Sequence, residues 1–327
     1  MKQKMNHLRQ NNIPWTGKAR AFMVLMMALP VALAQASQSE DGVPARARKA
    51  ADSVRVVTAN IRQMLDADIK TGNSWEQRKE LCRDVLIAQE ADIFCFQESR
   101  LAQMLYFEQA MPGFAHFGIG NPRKDDAPPE PINAIMYSTK RFEKVDSGGF
   151  WLSATPDTPT THFEGSSNRL ANWLRLKDRK SGREIIVWNT HLHHVGDAVR
   201  EKQIAVLLAR TGKISAGIPQ ILTADFNTSA ERAVIKSIKA AGWTDSYAFM
   251  HGPEDPGLTA HRFLGAELGA TPEGQKRRKI DFVFCNGQFR PIDAEVIRDS
   301  RAGRYPSDHY FVSAELEYAK GSGTDVR

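Results

Sequence analysis

Short, nearly continuous apolar runs recur along the chain, and several of them end on a single polar side chain. The runs cover 54–59, 92–97, 132–137, 171–176, 184–190, 219–224, 280–285 and 311–317. Their lengths and their Val, Ile and Phe content predict β-strands. The segments at 171–176 and 311–317 alternate, which predicts one buried face and antiparallel pairing. Three further stretches have helical periodicity. In Trp75–Ala88 the apolar residues Leu81, Val85 and Ala88 share one helical face, and Asn73-Ser74 offers a cap. Residues 198–209 and 230–241 are amphipathic in the same way. Helices mixed with many strands imply sheets packed together and covered by helices.

The polar residues that close these runs are the chemical signal. Asn60 follows the first run, Glu98 the second, and His191 the run at 184–190. Asp225 and Asn227 follow 219–224, Asp281 sits where 280–285 begins, and Asp308-His309 come near the end. A carboxylate at the edge of a core is costly unless it is paired, hydrogen-bonded or metal-bound. Several of them at strand ends, with histidines and amides, imply one convergent site. Oxygen ligands without sulfur suit a hard cation such as magnesium. Singly, each has an ordinary explanation. Asn60 suits a turn, Asp225 a cap, and Glu98 a paired acid at the core edge. Asp281 resists that treatment, because it interrupts the apolar Ile280-Phe282-Val283-Phe284.

The N-terminal segment changes how the charge is read. Lys2, Lys4, Arg9, Lys18 and Arg20 precede an apolar run, Ala21 to Leu33, and two small-residue sites, Ala32-Leu33-Ala34 and Ala34-Gln35-Ala36. That order describes a signal peptide over 1–36, cleaved during export to the periplasm or medium. The run is short for a bilayer span, so no stable membrane anchor is expected. Removing five basic and no acidic residues takes the net charge from +6 to +1. The mature chain therefore lacks the charge excess of a non-specific polyanion binder. Residues 37–52 read as a flexible lead-in, 53–319 as one domain, and 320–327 as a disordered tail. The three cysteines, Cys82, Cys95 and Cys285, are too few for a disulfide framework, although a Cys95–Cys285 bridge is open.

The ordered set Val57-Thr58-Ala59-Asn60-Ile61, Ser74-Trp75-Glu76-Gln77-Arg78, Asp92-Ile93-Phe94-Cys95-Phe96-Gln97-Glu98, Asn189-Thr190-His191, Thr223-Ala224-Asp225-Phe226-Asn227, Ile280-Asp281-Phe282-Val283-Phe284 and Ser307-Asp308-His309 resembles the endonuclease/exonuclease/phosphatase superfamily. The Ser74–Arg78 segment and Phe150-Trp151-Leu152-Ser153 look most like its bacterial secreted branch, related to nocturnin-type deadenylases. The resemblance implies a DNase I-like α/β fold, a four-layer αββα sandwich of two mainly antiparallel sheets. It implies Glu98 as the principal metal ligand, Asn60 beside it and Asp308 near the cation, which would be Mg²⁺ or Mn²⁺. It implies that Asp225 and Asn227 orient or deprotonate the attacking water. His309, partnered by Asp281, would contact the scissile phosphate. His191 would help the leaving oxygen or the developing charge, and Tyr137 would face the phosphate. Trp75 and Arg78 read as structural.

Two departures from the family pattern stand out. Ala224 replaces the usual glycine before Asp-Phe-Asn, and His193 stands where an aspartate usually precedes the last histidine of that segment. A dinuclear zinc reading of His191-Leu192-His193-His194 fails, because Val195 and Gly196 occupy the places of the required Asp and His. Arg169, Trp151 and Arg278 are candidate substrate contacts. The expected activity is hydrolysis of a phosphomonoester or phosphodiester by activated water, by a monomer. The partner would be a phosphorylated small molecule, a sugar, a lipid head group or a nucleic acid. A nuclease on the same fold is the alternative. A non-catalytic binding protein is the rival from another class, and it requires gaps in this residue set that the sequence does not contain.

Overall fold

The apolar runs fold as the interior strands of two sheets. The computed structural model describes residues 43–121, 129–214 and 217–319. The predicted signal peptide, residues 37–42 of the lead-in and the tail at 320–327 lie outside the described residues. The described residues fall within one compact unit.

The first sheet holds β1 (Val54–Asn60), β2 (Ile93–Gln97), β3 (Phe114–Phe117), β4 (Ile135–Ser138), β11 (Phe289–Ile297) and β12 (Phe311–Tyr318), in the order β11-β12-β1-β2-β4-β3. The second holds β5 (Phe142–Trp151), β6 (Leu170–Asp178), β7 (Glu184–His191), β8 (Gln220–Asp225), β9 (Trp243–Asp245) and β10 (Asp281–Asn286), in the order β5-β6-β7-β8-β10-β9. Each sheet contains one parallel pair, β1–β2 and β7–β8, and every other pairing is antiparallel. A parallel pair needs a crossover. Helix α1 (Trp75–Ala88) supplies one and α3 (Asp197–Ile214) the other.

Alternation along the strands sorts the core into three layers. Val54, Val56, Ile93 and Cys95 point between the sheets, where they meet Leu174, Leu176, Val187 and Val283. Val57, Ala59, Phe94 and Phe96 point outward to Leu81, Val85 and Leu86 of α1 and to Met104 and Phe107 of α2 (Leu101–Ala110). Ile186, Trp188, Leu222 and Phe282 point outward to Ile204 and Leu207 of α3 and to Val234 and Ile238 of α4 (Ala233–Ala240). The result is the predicted αββα sandwich. Interior strands are covered on both faces, so their sequences read as unbroken apolar runs.

Three expectations need adjustment. β12 is buried from Phe311 to Leu316 and not on one face only, because the segment before β1 covers its polar side. The amides of Lys49 and Ala50 donate to Glu315 Oε1 at 2.9 and 3.0 Å, so the part of the lead-in that is described is tied to the domain. All three cysteines are free and buried, with burial pushing each thiol up to about 12. No helix among the described residues is long and apolar enough to cross a membrane.

Candidate active site

Strand direction brings the polar strand ends together. The β1–β2 register sets Asn60 beside Gln97, and Glu98 follows at once. The β7–β8 register sets His191 beside Asp225, and antiparallel β10 sets Asp281 on the other side of Asp225. Carboxyl ends of parallel strands are the usual ligand edge of an α/β sheet. Beneath that edge the sheets are stitched by amides. Gln97 Nε2 donates to Asn189 Oδ1 at 2.7 Å, and Asn189 Nδ2 donates to Phe96 O at 2.7 Å.

The chain turns sharply at the two places where it leaves these strands. Glu98 has φ +59° and Asn227 has φ +52°. That region costs a non-glycine residue of order 1–3 kcal/mol. Ala224 lies within β8 and is not among the left-handed residues, so the loss of glycine there carries no steric cost.

A cleft of about 610 Å³ is lined by Glu98, Arg169, His191, Asp225, Asn227, Asp308 and His309, among others. Asn60 Nδ2 donates to Asp225 Oδ2 at 3.1 Å and more weakly to Glu98 Oε1 at 3.4 Å. The backbone N–H of Asn227 donates to Asp225 Oδ1 at 2.9 Å. Burial, and then the charge of Asp281, push the Asp225 carboxyl up to about 7. His309 Nδ1 lies 3.0 Å from Asp281 Oδ2, which fixes the protonated nitrogen, and His309 Nε2 lies 4.0 Å from Asp225 Oδ2. Burial works against the imidazolium of His309. The charge and hydrogen bond of Asp281, followed by Asp225 and Asp308, outweigh it and raise the pKa to about 10. His191 is held neutral by burial and then by Arg169 and His309. Its Nε2 therefore accepts from Asn227 Nδ2 at 2.8 Å.

The donors suit a hard cation. Asp225, Asp281 and His309 cluster with polar atoms within 4.8 Å of one another, where the protonated His309 is a donor and not a ligand, and Asp281 Oδ1 is buried without a hydrogen-bond partner. Glu98 accepts only long bonds, from Asn60 at 3.4 Å and from the Gln63 amide at 3.3 Å, and so keeps lone pairs for a ligand. Carboxylate and amide oxygens without sulfur fit Mg²⁺ or Mn²⁺.

Three sequence candidates fall elsewhere. Tyr137 packs in the core between the sheets. β4 runs antiparallel to β2, which sets Tyr137 opposite Ile93, at the far end of the strand from Glu98. Trp151 is buried, and its indole N–H donates to Asn121 Oδ1 at 3.1 Å, outside the cleft lining. Arg278 is exposed and lines a neighbouring cleft, while Lys279 is buried over the Phe282 ring. Arg169 does line the cleft, with a buried Nε that has no partner. Sequence reading missed Arg62, whose Nη1 lies 3.3 Å from Asp308 Oδ2 and whose Nε donates to Asp68 at 3.0 Å. Its position two residues after Asn60 was the available signal. It also missed His194, another lining residue. Arg78 is structural, as expected. It donates to Ile61 O, Arg62 O and Pro306 O, clamping the loops that carry Arg62 and Asp308.

Comparison with known proteins agrees with this geometry. The Endonuclease/Exonuclease/phosphatase family model matches residues 57–309. Human nocturnin is 23% identical over 275 residues, covering 76% of this chain, and the chain spans 59% of that protein's length. A mannosyl-6-phosphatase of Bacteroides thetaiotaomicron superposes with a TM-score of 0.71 at 28% identity, over 81% of this chain and 100% of that one. The human nocturnin catalytic domain with a bound sulfate anion superposes with a TM-score of 0.64 at 21% identity, over 82% of this chain and 94% of that one, a likeness of fold. The chain belongs to the endonuclease/exonuclease/phosphatase family, whose members are hydrolases acting on phosphoester bonds.

Proposed function

We propose that this chain is an exported, Mg²⁺- or Mn²⁺-dependent phosphatase acting on the phosphomonoester of a small phosphorylated molecule. The observation that carries the reading is the Asp281–His309 pair set against Asp225 at one strand edge, beside an incompletely bonded Glu98. Two further points support it: the 28% identity to a sugar phosphatase, and the +1 charge that remains without the leader. Export rests on the leader pattern at residues 1–36.

Glu98 and Asn60 would hold the cation, with Asp308 near it. When bound, the cation neutralises charge on the phosphoryl oxygens. Asp225, whose carboxyl has a raised proton affinity, takes a proton from a water that Asn227 helps to orient. His309 stays protonated against Asp281 and donates from Nε2 to a phosphoryl oxygen. His191 is neutral and fixes the Asn227 amide. Arg62 and Arg169 add positive charge to the cleft wall.

The test compares p-nitrophenyl phosphate and a panel of sugar 6-phosphates with bis-p-nitrophenyl phosphate. Faster turnover of the monoesters is expected. Turnover of the diester alone would favour a nuclease-type enzyme, and no turnover at all would remove the enzymatic reading. N-terminal sequencing of protein from the periplasm or medium should begin at Gln35 or Ser37. An intact Met1 on a membrane-bound product would overturn export.

A further inference from the structure

A second cleft, of about 400 Å³, adjoins the catalytic one, and Asn227 lines both. Its walls are predominantly basic. Arg200 and Arg232 share one carboxylate, Asp197, and Arg277 pairs with Glu273 at 2.7 Å. Glu231, the other acid in the lining, accepts from Ser229 Oγ at 2.5 Å. Lys276 and Arg278 are exposed and have no carboxylate partner among the described residues. Arg278 Nη1 donates only to backbone carbonyls, Gln275 O at 2.9 Å and Arg277 O at 3.1 Å, which leaves its Nη2 free. Thr228, next to the shared Asn227, is 5% exposed, and its hydroxyl has no hydrogen-bond partner.

These observations point in one direction. Surplus cations around a concave surface attract an anion, and arginine guanidinium groups suit phosphate oxygens. A buried hydroxyl without a partner costs free energy unless a ligand or water satisfies it. The shared Asn227 places this surface directly beside the first cleft. We infer that the second cleft is an anion subsite and that the preferred substrate carries a second phosphate on the same scaffold as the one removed. The inference rests on the phosphatase reading above, which it refines from any phosphomonoester to a bisphosphorylated one. Lys276 and Arg278 supply the charge, and Thr228 lies buried at the boundary between the two clefts.

The experiment uses the full mature protein with Mg²⁺. Fructose 6-phosphate is compared with fructose 1,6-bisphosphate, and a nucleoside 5′-monophosphate with the 3′,5′-bisphosphate, so that a sugar scaffold and a nucleotide scaffold are separate arms. The parent is expected to prefer a bisphosphate at least tenfold in kcat/KM. The K276E/R278E double variant should lose that ratio, mainly through KM. Calorimetric binding of the same pairs to His309→Ala gives a readout that does not need turnover. Hydrolysis of the monophosphate without bisphosphate preference would overturn the subsite and leave the phosphatase reading standing. No hydrolysis of any compound would overturn the phosphatase reading, and the calorimetric arm would still decide the subsite. Equal binding of mono- and bisphosphate, or a ratio unchanged in K276E/R278E, sinks it.

Discussion

Glu315 and Asp281 are each 1% exposed, yet their surroundings differ completely. Glu315 Oε1 accepts from the amides of Lys49 and Ala50 and from Ser53 Oγ. Its Oε2 accepts from Arg55 Nε at 3.1 Å and Arg55 Nη2 at 2.5 Å. Both oxygens are hydrogen-bonded, and Arg55 matches the charge. Asp281 gives one oxygen to His309, leaves the other bare, and faces a second buried carboxylate, Asp225. The first carboxylate fastens the N-terminal segment to the fold. The second belongs to a cluster in which two buried carboxylates, Asp281 and Asp225, face one imidazolium, His309. A buried acid with both oxygens bonded serves the fold, and a buried acid with an unsatisfied oxygen beside a cleft is a functional-site candidate.

The sharpest break in this comparison is Asp225→Asn. It should lower kcat by about 10³-fold, within the range for losing a positioned base. It should not lower Tm, because it relieves like-charge repulsion. A stability loss with activity retained would reverse the two roles. Glu315→Gln should do the opposite. It leaves Arg55 buried without its countercharge and should cost about 3 kcal/mol, with kcat per folded molecule unchanged. Denaturant titration and specific activity on the same sample separate the two outcomes.

Arg78 joins the two kinds of region, since it is buried like a structural residue but clamps cleft loops. Arg78→Lys should lose at least two of its bonds to Ile61 O, Arg62 O, Asn73 O and Pro306 O, for about 2 kcal/mol. A roughly tenfold fall in kcat/KM, from about 1.4 kcal/mol of lost positioning, should accompany it. A stability loss without any kinetic change would make the clamp purely structural.

The smallest effect is in pH dependence. Burial alone would raise the Glu315 pKa, but Ser53, the Ala50 amide and Arg55 outweigh it and hold it low. A lowered carboxylate pKa gives stability that is present above the usual value and lost as pH falls through the folded one. The Asp225 carboxyl is raised to about 7, so the folded state keeps that proton longer and stability falls as pH rises toward neutrality. In chelated protein the Tm advantage of Asp225→Asn over the parent should therefore widen from about pH 4 to pH 7. The Tm deficit of Glu315→Gln should narrow below about pH 4. Parallel Tm curves for all three proteins would contradict the contrast.

The interior of the fold was legible in the sequence, and its borders were not. β3, β5, β9 and β11 were not foreseen, and all four are edge strands. β11 carries Arg290, Pro291 and Asp293, while β5 runs through Glu143-Lys144 and Gly148-Gly149. Edge strands lack the double-sided burial that writes a continuous apolar run, and they carry charge and proline. The same logic governs the site. Asn60, Glu98, His191, Asp225 and Asp281 stand out because each is polar at the border of a two-face-buried strand. Tyr137 also sits at a strand border, but strand direction decides which edge that border faces, and direction is not written in the run itself. Arg62 and Arg278 lie on loops, where no periodicity marks a side chain for one cleft and not its neighbour.

The central claim is that the loosely bonded Glu98 holds a divalent cation in the cleft. Calorimetric titration of Mg²⁺ into chelator-treated protein tests it most directly, with Glu98→Gln and Glu315→Gln as the paired variants. Saturable binding to the parent, weakened at least tenfold in Glu98→Gln and unchanged in folded Glu315→Gln, is the predicted result. Absence of saturable binding in the parent, or the same isotherm in Glu98→Gln, would contradict it.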